Sequence, residues 1–178
     1  MHFQMSTFLA IGAFLLQMHH IKGECLMINQ YPDGNGPIET NTKLCVPQGE
    51  GDWTFGMETT LATVPGGDGD AAEFYIFDNT CKIRGQYDPP SQDPDNNCGI
   101  PFTAKESFLP LVLTVTDVSF DVGDPYFQFS YGDGTYSINN NGCDCVSDNQ
   151  GTVANEKCKC GFPVDGNSSG KRSIAFRG

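Results

Sequence analysis

Histidine is nearly missing from this chain: of 178 residues only His2, His19 and His20 are histidine, all within the first twenty positions. Removal of those positions with a targeting segment would leave no imidazole, which excludes Ser-His-Asp and Cys-His nucleophilic machinery, histidine metal ligands and histidine general bases. Tryptophan occurs once, at Trp53. Sugar clefts tend to use several aromatic platforms, and Trp53 lies in an alternating stretch where core packing is its expected role. Basic residues are scarce as well. Against 22 Asp and Glu there are 10 Lys and Arg, a net charge of −12. Phosphate backbones and anionic membrane surfaces repel such a chain, so neither nucleic acid nor membrane is an expected partner. Past Gly23 no apolar run is long enough to cross a bilayer.

What is present begins with a targeting signal. Thr7 to Met18, TFLAIGAFLLQM, is an apolar run of signal-peptide length followed by polar residues and the small Gly23. We expect residues 1–23 to be removed, although no Lys or Arg precedes the apolar run. Taking 23 from 178 leaves 155 residues, one domain with a modest core. Lys22 is the only charged residue lost, so the net charge moves from −12 to −13. The expected location is secreted and extracellular.

All eight cysteines, Cys25, Cys45, Cys81, Cys98, Cys143, Cys145, Cys158 and Cys160, lie in the retained part. Four disulfides are expected in an oxidising compartment, and their pairing is left open. Near the C-terminus the cysteines form two Cys-x-Cys pairs, 143/145 and 158/160. In a strand each pair puts both sulfurs on one face, placed to staple the layer beneath. Four such thiols would also suit zinc, but export favours disulfides, and no metal or cofactor is expected.

The remainder reads as short strands and turns. Cys25 to Ile28 and Lys43 to Val46 are expected short strands. From Trp53 to Thr63 the apolar residues Trp53, Phe55, Met57 and Leu61 alternate with polar ones, the period of a half-buried strand. Glu73 to Asp78 is apolar enough to be covered on both faces, and turns at Asp78-Asn79-Thr80 into a hairpin with Cys81 to Arg84. Leu109, Leu111, Leu113 and Val115 hold odd positions, whereas Val118, Phe120 and Val122 hold even ones. That slip at Thr116-Asp117 predicts a β-bulge or a short turn, which would absorb the extra residue and let the strand bend from one sheet to another. Asp133-Gly134 predicts a two-residue hairpin turn that sets Tyr131 opposite Tyr136 and Phe129 opposite Ile138. The expected fold is a single all-β domain over residues 24–164, a compact disulfide-stapled β-sandwich or β-barrel-like domain of short antiparallel strands.

Two loops are the expected contact surface, Gly66 to Asp70 with Asp68 and Asp70, and Tyr87 to Asn97 with Tyr87, Asp93 and Asp95. The second imitates the start of a calcium-binding loop. Cys98 stands where that loop needs glycine and Ala104 where it needs the bidentate Glu, so it is read as a polar loop. Residues 165–178 are an expected flexible tail. Asn167 opens a glycosylation sequon there, and Lys171-Arg172 is either a processing site or a basic pair in a frayed end.

Without histidine, the remaining enzyme chemistry is a carboxylate pair acting on a glycosidic bond. Glu58 and Asp117 fall within strands, but nothing in the sequence brings them together. With these residues in view, the chain resembles the small cysteine-rich secreted proteins of filamentous ascomycete fungi, many of them effectors acting on a host. The likeness is carried by the leader, the acidic domain of this size, eight cysteines, FDNTCKIRG over 77–85, and GCDC followed by CKCGFP. The resemblance implies a non-enzymatic, monomeric effector that binds a host protein and modulates immunity or cell death. A carbohydrate- or cell-wall-binding protein is the alternative, and a carboxylate-dependent glycoside hydrolase comes third.

Overall fold

The computed structural model describes residues 25–64, 67–88, 100–140, 142–147 and 153–168. The expected leader over residues 1–23 and the pair Lys171-Arg172 lie outside them. The strands in chain order are β1 (Cys25–Leu26), β2 (Asp52–Val64), β3 (Gly67–Phe77), β4 (Ile83–Tyr87), β5 (Phe102–Ala104), β6 (Leu113–Ser119), β7 (Tyr126–Tyr131), β8 (Gly134–Ser137), β9 (Cys143–Ser147) and β10 (Val153–Pro163). They form two five-stranded sheets, β1-β5-β6-β7-β8 and β4-β3-β2-β10-β9, neither closed into a barrel. The fold is therefore an open, disulfide-stabilised sandwich. Every strand pairing is antiparallel except β1 against β5, which is parallel.

Alternation decides which residues meet between the sheets. Phe55 and Met57 of β2, Phe74 and Ile76 of β3, and Phe162 of β10 face Val115 of β6 and Phe127 and Phe129 of β7, all fully buried. Phe55 sits at the middle, with ring centroids 5.4 Å from Phe74, 5.4 Å from Phe127 and 4.8 Å from Phe129. The other face of β2 and β3 is covered as well. Leu44, Cys45, Tyr75, Phe77, Cys81 and Ile83 form a second cluster there, and the Cys45–Cys81 disulfide straps the chain around residue 45 onto it. This cover is why Glu73 to Phe77 is apolar on both faces.

The expected strand at Lys43 to Val46 is instead a turn followed by irregular chain. Asn41 causes it: its Oδ1 accepts from the Lys43 N–H at 3.0 Å, and its carbonyl accepts from the Leu44 and Cys45 N–H groups. Such local capping competes with a ladder. It also lets Leu44 and Cys45, adjacent in sequence, both be buried at 2% exposure, which an alternating strand against one layer would not do.

The bulge falls where the phase slip put it, between Val115 and Asp117, and after it Val118 still pairs with Phe127. However, β6 does not cross between sheets; it stays between β5 and β7. The β7–β8 hairpin turns one residue earlier than expected. Gly132, at φ +59°, and Asp133 form the turn, so Phe129 lies opposite Tyr136 and Tyr131 opposite Gly134. The partners of each residue move by two positions, which leaves every side chain on its expected face.

The reason for the shift is contact with the chain end. A Cβ on Gly132 would lie 2.2 Å from the Gly166 carbonyl oxygen and 2.4 Å from its Cα. The Asp133 N–H donates to the Gly166 carbonyl at 3.0 Å, and the Ser168 N–H donates to Asp133 Oδ1 at 2.6 Å. Residues 165–168 thus dock on the hairpin rather than trail from it. Gly132→Ala should cost about 1–2 kcal/mol for the left-handed backbone alone, with a backbone collision added that no rotamer can relieve. Gly123, at φ +114° with open space around it, provides the comparison. Urea midpoints should fall further for Gly132→Ala than for Gly123→Ala; equal shifts would show that the Gly166 contact carries no weight.

The β9–β10 register fixes the pairing of the Cys-x-Cys sulfurs, which the sequence leaves open. Cys143 lies directly opposite Cys160 and Cys145 opposite Cys158 in the β9–β10 ladder, and these are the disulfides that form. The sulfurs do face the core, but they join neighbouring strands of one sheet instead of stapling the layer beneath. All four are consumed pairwise, which rules out the zinc alternative. Cys25 is disulfide-bonded too; Cys98 lies outside the described residues.

Candidate functional site

Of the expected contact residues, Asp68, Asp70 and Tyr87 lie among the described residues. Asp68 and Asp70 lie within β3, opposite Thr63 and Leu61 of β2, so the stretch read as a loop is mostly strand. Glycine-rich loop composition yields here to a long partner strand that supplies a hydrogen-bonded register. Tyr87 is core, with 0% exposure. Its hydroxyl donates to Glu106 Oε1 at 3.0 Å, and burial, with the Glu106 carboxylate beside it, pushes the phenol well above its ordinary pKa. Asp93 and Asp95 lie outside the described residues. Asn167 is exposed, beside the docked Gly166, as a glycan acceptor needs.

Trp53 is half-buried and its faces are engaged. It stacks on Phe108 at 6.2 Å, and the Arg84 guanidinium carbon lies 5.6 Å from its ring centre and 5.5 Å from that of Phe108. Asp78 anchors the same guanidinium at 3.5 Å. These contacts suit the packing role expected of Trp53.

A carboxylate pair does exist, though not the one considered from sequence. Glu58 of β2 lies opposite Glu73 of β3 on the outer face of their sheet, while Asp117 belongs to the other sheet. Like charges directly opposed destabilise a ladder unless compensated. Compensation is complete here. Glu58 Oε1 lies 2.6 Å from the ammonium of Lys157, whose side chain is only 6% exposed. Glu73 Oε2 accepts from the Tyr75 hydroxyl and from Gln86 Nε2 at 3.1 Å. Burial and the Glu73 hydrogen bond raise the Tyr75 pKa, so this phenol stays protonated and donating.

Lys159, two residues along β10, points the same way. Its Nζ donates to the Lys43 carbonyl at 2.9 Å and lies 3.6 Å from the Asp144 carboxylate. Burial lowers its pKa against the opposing pull of Asp144. The two lysines were not singled out from sequence. Their visible signal is Lys157-x-Lys159, two like charges on one face of a strand, which indicates acidic partners on that face. Nothing short of the β2–β10 and β9–β10 registers identifies those partners. The cluster ties the strap and the neighbouring strands together. Its carboxylates are held by cations and donors: Glu58 Oε1 by Lys157 and Glu73 Oε2 by Tyr75 and Gln86. Among the described residues no group of three or more His, Cys, Asp or Glu is placed to hold a metal.

The outer face of the other sheet is chemically different. Thr103, Thr114, Ser130 and Thr135 lie opposite one another across β5, β6, β7 and β8. Alongside that row, Gln128 Nε2 donates to Thr116 Oγ1 at 3.1 Å, and the Tyr126 hydroxyl donates to Gln128 Oε1 at 3.4 Å.

Comparison with protein families, with curated proteins and with solved structures finds no match to this chain. The class that stands on the structure itself is a cysteine-rich, disulfide-bonded, all-β two-sheet domain. Among the described residues no helix is long and apolar enough to cross a membrane.

Proposed function

We propose that this is a secreted, non-enzymatic binding protein, a fungal effector that engages a host component and modulates immunity or cell death. The observation that carries the non-enzymatic part is the condition of Glu58 and Glu73. They are the carboxylates that the strands juxtapose, and both are spent on Lys157, Tyr75 and Gln86. Secretion is supported by the apolar leader and by disulfides, which persist in oxidising compartments. A compact core closed by covalent bonds also suits a protein that must survive extracellular proteases.

Purified protein infiltrated into host tissue should change the defence response, read as the oxidative burst or as cell death, without releasing sugars from a panel of wall glycans. A response identical to buffer would overturn the effector reading. Glycan turnover abolished by Glu58→Gln or Glu73→Gln would restore the hydrolase. The carbohydrate-binding alternative has one observation in its favour, the hydroxyl-rich face built on β6 to β8, where Asp117 is the one charged residue.

A further inference from the structure

We infer that the outer face of the β1-β5-β6-β7-β8 sheet is a binding surface for a neutral, extended polysaccharide. This deepens the reading of the chain as a secreted binder and rests on it. Thr103, Thr114, Ser130 and Thr135 form one straight row because each is the direct partner of the next in the ladder. Thr103 is buried at 4% exposure and donates to the Cys25 carbonyl, so the accessible part of the row is Thr114, Ser130 and Thr135. Strand spacing sets these side chains about 4.8 Å apart, close to the length of one sugar ring, so a glycan lying across β6, β7 and β8 would meet a hydroxyl at each of three units. A hydroxyl both donates and accepts, which matches the sugar hydroxyls it would face.

The neutrality of the face is the second argument. The chain has 22 acidic residues against 10 basic ones, yet the outward positions of β7 and β8 are threonine, serine, glutamine and tyrosine, and on β6 only Asp117, at the bulge, is charged. Surrounding negative charge disfavours anionic ligands, while an uncharged polyol loses nothing by docking there. A protein partner would need apolar anchors at the centre of the patch. The only large hydrophobic residue exposed in this row is Leu26, at its β1 end, opposite Thr103.

Pre-organisation is the third. The Gln128 side chain is fixed at both ends, donating to Thr116 and accepting from Tyr126, so less side-chain entropy is lost when a ligand binds. Tyr126, half-buried beside it, adds an aromatic ring to the edge of the hydroxyl row, the kind of platform on which a pyranose packs.

The test uses the full secreted protein, incubated with insoluble chitin, cellulose and β-1,3-glucan, with polygalacturonate as the anionic comparison. At least one neutral glycan should retain the protein. Thr116→Glu and Thr135→Glu, both at exposed positions, should each weaken that retention at least tenfold while leaving the circular dichroism spectrum unchanged. Retention by none of the neutral glycans, or by polygalacturonate alone, would overturn the inference, as would full retention of both variants. A protein that no glycan retains but that still alters the host response overturns the glycan surface and leaves the binding reading standing. Retention with no host response upholds the surface and overturns the effector.

Discussion

Changing Cys143, Cys145, Cys158 and Cys160 together to alanine is expected to remove about 5 kcal/mol of stability and to release β9 first. The Cys143–Cys160 bond spans a sequence separation of 17, and closing a loop of that size restricts the unfolded chain by about 3 kcal/mol. Once it is closed, the Cys145–Cys158 bond, at a separation of 13, no longer closes its full loop. The shortest path between its ends runs back through the outer bond over about six residues, and it adds about 2 kcal/mol. Against a total of about 5–15 kcal/mol for a domain, the pair is a large share. Removing the inner bond alone should therefore cost about 2 kcal/mol. β9 is an edge strand whose only ladder partner is β10, so its amides should lose exchange protection before those of β2 and β3. Urea unfolding and amide exchange on the secreted protein give both numbers. A loss under about 1 kcal/mol for the quadruple variant would show that the ladder hydrogen bonds hold β9 unaided.

The sulfurs of Cys143, Cys145, Cys158 and Cys160 were readable as two same-face pairs because strand alternation needs no knowledge of the partner strand. Which sulfur meets which was not readable, since it depends on the β9–β10 register. The same division runs through the fold. The bulge at Thr116-Asp117 was legible because a change of parity is a local fact. The turn at Gly132-Asp133 was displaced by one residue because Gly166, more than thirty positions away, packs against Gly132. Asp68 and Asp70 looked like loop because glycine and aspartate favour turns, and only the length of β2 shows that a partner is there to pair with them. In the site, Glu58 and Asp117 stand out in the sequence because both lie in strands, but nothing in the sequence brings them together. Glu73 and Lys157 became visible only with β3 and β10 set on either side of β2. The hydroxyl row is the least legible feature, since its members come from four strands and each alone is an ordinary surface residue.

Phe55→Ala should be the most damaging single truncation in the core, at about 3–5 kcal/mol and toward the upper end. Phe55 is fully buried and touches rings from both layers: Phe74 of its own sheet at 5.4 Å, and Phe127 and Phe129 of the opposite sheet at 5.4 Å and 4.8 Å. The cost of a cavity depends on how far its walls can collapse. Here the walls are aromatic rings on β3 and β7, each with ladder partners on both sides, so they cannot lean into the space without breaking sheet hydrogen bonds. Phe55→Leu, which fills most of the volume, should cost well under half as much. Loss of the four cysteines and loss of the Phe55 ring should also differ in kind. Loss of the disulfides frees one edge, whereas loss of the Phe55 ring weakens the contact through which the two sheets hold each other. In Phe55→Ala the amides of β2, β3, β6 and β7 should therefore lose exchange protection together, in step with the fall in the urea midpoint. A loss below about 1.5 kcal/mol, or protection lost in one sheet alone, would show that the sheets do not depend on this ring for their packing.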